Sequence, residues 1–164
     1  MSSVQYTFPK YKLTNQLKQP GGMAVADAVA AAQSNLAELA PPCLIELRTV
    51  TGETLAAYRK FPGTFSREAL DELYAGAARA IGLGAVCGLP SADAAFSSLC
   101  DLVDRFCIAG CWDLQAIEVH LSTVQLLVFG ATLDSASAEP LLAGLRKVSA
   151  RYAQLQTSRV AAAS

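Results

Sequence analysis

The chain of 164 residues has few aromatic and few charged side chains: 7% are Phe, Trp or Tyr, and 16% are Asp, Glu, Lys or Arg. Runs of β-branched residues are also scarce, so a β-sandwich or a β-barrel is not expected. The formal net charge is −1, and no segment concentrates the Lys and Arg residues. Because binding to nucleic-acid phosphates normally needs a basic stripe, the sequence predicts no nucleic-acid partner.

Long apolar runs are missing as well. The longest candidate, Val124 to Ala131, is far shorter than the roughly 20 apolar residues that cross a bilayer. The N-terminal segment shows no apolar stretch typical of a signal peptide. Five cysteines are an odd number, which suits reduced thiols. We therefore expect a cytoplasmic protein that does not bind a membrane.

What the sequence has in quantity is alanine and leucine, two strong helix formers, within a hydrophobic fraction of 52% and a mean hydropathy of +0.32. It predicts an all-α protein, an antiparallel four-helix bundle with an additional N-terminal helix. Residues 1–22 are interpreted as an irregular N-terminal arm, 23–157 as one helical domain and 158–164 as a frayed tail. The predicted helices cover residues 24–40, 43–60, 67–86, 91–108, 114–129 and 140–156.

Local signals set these boundaries. The pair Pro41-Pro42 ends the first predicted helix, and Val50-Thr51-Gly52 interrupts the second. Ser66 and Asp113 are expected N-caps. The glycines at 110 and 130 are expected to end helices, and Pro140 is expected to open the last one.

The segment Leu73 to Pro90 carries an unusual pattern. At 100° per residue, one side collects the apolar residues that should face the bundle: Leu70, Leu73, Ala77, Ala80, Ile81 and Gly84. The opposite side brings Ala78 and Gly82 together, beside Ala75 and Ala85. Only Arg79 supplies the charge that a solvent-facing helix surface normally carries.

This segment resembles histidine-phosphotransfer (HPt) domains. That family places a histidine on the exposed face of a bundle helix, with lysine at the third following position and glycines at the fourth and tenth. In this sequence Gly82 matches the first glycine and Gly88 the second, which puts Ala78 at the histidine position and Ile81 at the lysine position.

Further residues are similar to an alphaproteobacterial, chemotaxis-associated (CheE-type) group of HPt-like proteins. The resemblance covers residues 64–130 well and residues 15–22 weakly. It rests on Leu73-Tyr74, Gly84-Ala85, Pro90, Ser98-Leu99-Cys100, Ala116, Val119-His120 and Leu126-Leu127.

The resemblance implies a partner from two-component signalling, either a response-regulator receiver domain or a histidine kinase. Alanine offers no atom that can accept a phosphoryl group, so we expect a non-catalytic binding module and not an enzyme. The expected partner-binding residues are Tyr74, Ala75, Ala78, Arg79, Ile81, Gly82 and Ala85. An alternative is that this face packs against the N-terminal helix or arm.

His120 is the only histidine. Its place at the edge of an apolar helix face indicates a half-buried structural residue. The alternative function, an active phosphotransfer protein that uses His120, meets an obstacle because Val124 and not glycine lies four residues later.

Other chemistry finds little support. Cys100, Cys107, Cys111 and His120 lack the paired spacing of structural zinc sites, so we expect no metal and no cofactor. A third possible function is a self-associating structural bundle, a homodimer held together by the small-residue face.

Overall fold

The computed structural model describes residues 21–130 and 135–162. Over these residues it is helical and contains no strand, which confirms the all-α prediction. The helices are α1 (Val25–Tyr58), α2 (Arg67–Ala80), α3 (Leu83–Val86), α4 (Pro90–Ala109), α5 (Leu114–Phe129) and α6 (Ser135–Ala162).

Several helix ends follow the predicted signals. The Ser66 hydroxyl accepts the Ala69 N–H at 3.2 Å and caps α2. The Asp113 carboxylate accepts two backbone N–H groups of the first turn of α5. Gly110 ends α4 in the left-handed region, with φ of 64°, and Gly130 follows the last residue of α5.

The prediction of two helices separated by Pro41-Pro42 is wrong, because α1 runs through both prolines and through residues 50–52. Each proline removes one backbone donor. The helix beyond them is stabilised by burial of Leu47 and Val50. The Thr51 hydroxyl also donates to the Leu47 carbonyl one turn back, at 2.6 Å. The additional N-terminal helix is therefore the first half of α1.

The last helix also differs from its prediction. It begins at Ser135, so Pro140 lies inside α6 and does not open it, and it extends to Ala162, beyond the predicted end at 156. The expected N-terminal arm, residues 1–22, lies almost entirely outside the described residues, which begin at residue 21. Of the expected tail, residues 158–162 belong to α6, and residues 163–164 are not among the described residues.

Helix α4 lies at the centre of the bundle and packs against α2, α3, α5 and α6. Two contacts give its direction relative to α2. Arg67 at the start of α2 donates to the carbonyl of Cys107 near the end of α4. Gly84, beyond the end of α2, donates to Asp93 in the first turn of α4. The two helices are therefore antiparallel. The buried residues of α4 are Ala92, Ala95, Phe96, Leu99, Cys100, Leu102, Val103 and Phe106.

The other helices continue the antiparallel arrangement. Tyr152 of α6 donates to Asp113, the N-cap of α5, whereas Ser149 lies beside His120, two turns further along α5. At the same end of α5 as Asp113, the Tyr58 hydroxyl at the end of α1 donates to the carbonyl of Leu114, at 3.0 Å. The chain thus forms a helical bundle.

The chain divides into two compact units between Asn35 and Leu36, within α1. The first contributes residues 21–35 to the described part, and these fifteen residues are exposed. The bundle belongs to the second unit, and a single domain over 23–157 stays a prediction. Among the described helices, none combines the length and the apolar character needed to cross a membrane.

Gly76 of α2 makes a close approach to α1. A Cβ atom built at Gly76 would lie 2.7 Å from the Thr54 Oγ1. That hydroxyl is buried and donates to the Val50 carbonyl at 2.7 Å, so it cannot turn away without losing a hydrogen bond. Sequence reasoning did not single out Gly76.

Replacing Gly76 by alanine should therefore destabilise the protein, by about 1–3 kcal/mol, although alanine is ordinarily the better helix former. The matched control is Gly52→Ala in α1, where a Cβ meets nothing within 4 Å. That control should gain about 0.5–1 kcal/mol. Urea unfolding of both variants measures the difference, and equal stabilities would contradict the close contact.

Candidate functional site

The residues expected to bind a partner lie at the end of α2 and in the turn that follows. We call them the residue-78 surface. All of its members are exposed, and they are Tyr74, Ala75, Ala78, Arg79, Ile81, Gly82 and Ala85. Tyr74 and Ile81 are the large apolar side chains of this surface, with 44% and 43% of their area exposed.

Ala78 lies in the last turn of α2 with its side chain exposed, whereas its neighbour Ala77 is fully buried. The Ala78 carbonyl accepts the N–H of Ile81, the residue at which the helix ends. The predicted buried face is confirmed for Leu70, Leu73, Ala77, Ala80 and Gly84. Ile81 was expected on that face too, and this was wrong.

The helix that was predicted over 67–86 is interrupted. It ends at Ala80, Ile81 is extended, and Gly82 has a φ of 96° before the single turn of α3 begins. Positive φ is a conformation that glycine adopts without a steric penalty. Ala78 and Gly82 are therefore both exposed, but they do not lie one above the other on one continuous helix, as the periodicity implied.

Asp93 of α4 explains this interruption. One of its carboxylate oxygens accepts the N–H groups of Gly82 and Gly84, at 3.1 and 2.9 Å, and the other accepts that of Ala85 at 2.8 Å. A Cβ at Gly84 would lie 2.6 Å from the Leu89 carbonyl oxygen, so only glycine lets the turn close onto α4. The side chain of a neighbouring helix thus sets the shape of the residue-78 surface.

Arg79 forms ion pairs with two carboxylates of α1. Its guanidinium lies 3.0 Å from the Glu53 carboxylate and 3.3 Å from that of Glu46. All three side chains are more than half exposed, so these ion pairs contribute little stability. They orient the arginine along α1 and offset its charge.

The alternative interpretation was that the face of Ala75, Ala78, Gly82 and Ala85 packs against the N-terminal helix or the arm. The arm lies almost entirely outside the described residues, so packing against it stays a prediction. The close helix contact falls on two other small residues. Gly76 faces Thr54 of α1, and Ala77 is buried. Ala75 and Ala78 remain exposed.

His120 is fully buried, and not half-buried at the edge of a face as the periodicity predicted. Its Nδ1 lies 2.9 Å from the Ala116 carbonyl, which only accepts, so Nδ1 carries the proton and donates. Its Nε2 then accepts from the Ser98 hydroxyl of α4, at 3.1 Å, and lies 3.4 Å from the Ser149 hydroxyl of α6. Burial lowers the pKa of His120, against a smaller opposite effect of the Ala116 carbonyl.

This geometry gives His120 a structural role, since one ring links three helices. Sequence spacing could not reveal it, because two of the partners lie on other helices. A fully buried ring cannot meet a phosphoryl donor unless the bundle opens.

The described part of the chain offers no metal centre. Residues 21–130 and 135–162 contain no group of three or more His, Cys, Asp or Glu side chains placed to hold an ion. The cysteines at 100, 107 and 111 form no disulfide. Burial, with a smaller contribution from Asp101, raises the pKa of Cys100 to about 11.

Comparisons with protein-family models, with curated proteins and with solved structures gave no match to this chain.

The pH dependence of stability should show the buried His120. Because its pKa is lowered in the folded state, the unfolded chain takes up a proton first as the pH falls. The stabilising contribution of the neutral His120 ring is thus fully present above the ordinary histidine pKa of about 6.5, and it is lost as the pH falls below that value. His120 is the only histidine, and carboxylates titrate at lower pH. The midpoints of urea unfolding, determined on either side of pH 6.5, measure this loss of stability.

The control is His120→Gln, which keeps a neutral polar side chain and removes the titration. Its stability should vary less over the same pH interval. A wild-type stability that rises as the pH falls through this interval would contradict a neutral, buried imidazole.

Proposed function

We propose that this chain is a non-catalytic, HPt-like binding module of bacterial two-component or chemotaxis signalling. It docks a response-regulator receiver domain, or a histidine-kinase element, through the residue-78 surface. This proposal extends the resemblance of the sequence to HPt domains.

The observation that carries the proposal is the exposed methyl group of Ala78 in the last turn of α2. Around it, Ala75, Gly82 and Ala85 present short side chains, or none, to solvent. A partner's backbone can approach such a surface closely. Since alanine has no nucleophilic atom, docking here leads to no phosphoryl transfer.

The rim of the surface supports recognition of a protein. Tyr74 and Ile81 expose large apolar areas, and exposed apolar patches with a polar edge are typical of protein interaction sites. Tyrosine in particular is enriched among the residues that dominate binding energy. Arg79, which Glu46 and Glu53 orient, gives one edge a fixed polar group.

The rigidity of the turn also supports the proposal. The three N–H groups held by the Asp93 carboxylate fix residues 82–85 before a partner arrives. A preformed surface loses less conformational entropy on binding than a mobile one. Asp93 therefore acts as a positioning residue for the residue-78 surface.

The proposed location is the cytoplasm, where receiver and kinase domains act. None of the five cysteines forms a disulfide, in keeping with a reducing compartment.

Substitution of Ala78 should separate docking from folding. In titration calorimetry against receiver and kinase domains of the source organism, one partner should bind the wild-type chain. Ala78→Glu should weaken this binding at least tenfold, about 1.4 kcal/mol, because the longer charged side chain obstructs the approach.

The matched control is Ala150→Glu, the same substitution at an exposed alanine of α6, a helix that packs on α4 and α5. It should bind like the wild type. Equal weakening in both variants, or no binding by any receiver or kinase domain, would contradict the proposal. The hydrodynamic mass of the isolated chain tests the homodimer alternative separately.

A further inference from the structure

Cys87 lies directly after α3 and reaches α1. Its thiol donates to the carbonyl of Ala40, with a sulfur-to-oxygen distance of 3.5 Å. The side chain is partly exposed, so small molecules in solution can reach it.

Cys43 lies three residues after Ala40 on the same helix. In an α-helix the side chains lean towards the N-terminus, so each covers the turn that precedes it. The side chain of Cys43 therefore covers the turn that holds the Ala40 carbonyl, where the Cys87 thiol sits. Cys43 is also partly exposed.

The electrostatics agree with this placement. The pKa of Cys87 is raised, first by burial, then by the neighbouring Cys43 and by Asp93. By contrast, the charged groups acting on Cys100 and Cys107 are carboxylates and an arginine, with no thiol among them. Helix geometry and the surroundings of Cys87 thus both pair it with Cys43.

We propose that Cys43 and Cys87 form a dithiol site that closes to an intramolecular disulfide by exchange with a small-molecule disulfide such as oxidised glutathione. The disulfide ties the middle of α1 to the segment after α3, two residues from Ala85. This proposal does not depend on the docking function.

The exchange balances as follows. One protein thiol loses its proton, and the thiolate attacks a sulfur of the small disulfide, which breaks the S–S bond and releases one small thiolate. The second protein thiolate then attacks the mixed disulfide and releases the other small thiolate. The protein loses two electrons and two protons, and the small disulfide is reduced to two thiols.

The rate should rise with pH, because the thiolate is the attacking species and the pKa of Cys87 is raised. The full-length protein is incubated with oxidised glutathione at mildly alkaline pH, and the remaining thiols are then alkylated. The intact mass reports disulfides and bound glutathione. Trypsin should yield a cross-link between residues 19–48, which hold Cys43, and residues 80–105, which hold Cys87 and Cys100.

Fragmentation of the cross-linked peptide distinguishes Cys87 from Cys100. We expect the bond from Cys43 to Cys87 in the wild type and in the control variant Cys111→Ser. Cys43→Ser and Cys87→Ser should lose this bond and should retain glutathione on the remaining cysteine of the pair. A wild-type protein that carries only glutathione adducts, or a cross-link that uses another cysteine, would overturn the proposal.

Discussion

Burial of α4 against four other helices is the constraint on which the rest of the structure depends. Because α4 is fixed by its large apolar residues, the carboxylate of Asp93 in its first turn is fixed as well. That carboxylate gathers the N–H groups of Gly82, Gly84 and Ala85. The core therefore determines the conformation of the turn that follows α2. It also determines the direction in which the end of α2 faces solvent.

His120 and the residue-78 surface have different roles in the protein. The buried ring of His120 on α5 contacts Ser98 of α4 and Ser149 of α6, and so links three helices. The ring itself has no contact with solvent. The exposed surface around Ala78 has short side chains at its centre, and the Asp93 carboxylate holds it in shape. The imidazole thus contributes to stability, whereas recognition is proposed for a surface that has no imidazole at all.

Much of this fold could be predicted from local signals in the sequence. The caps at Ser66 and Asp113 and the ends of α4 and α5 follow from residues within one turn of each boundary. The features that were predicted wrongly depend on residues that are distant in the sequence. Helix α1 continues past Pro41-Pro42 because its second half is buried by the bundle. The break after Ala80 follows from glycines whose N–H groups bind a carboxylate nine or more residues further on. The exposure of Ala78 could be predicted, but the partners of His120 could not, because they lie on separate helices.

The most direct test introduces, at residue 78, the imidazole that HPt domains carry at the matching position. Ala78→His places an imidazole on the residue-78 surface, and it is incubated with the phosphorylated form of a receiver domain that binds the wild-type chain. We expect the phosphoryl group to move from the receiver's aspartate to the new imidazole, whereas the wild type should stay unlabelled. Phosphorylation of the wild-type chain on His120, or an Ala78→His protein that no binding receiver can label, would contradict the proposal.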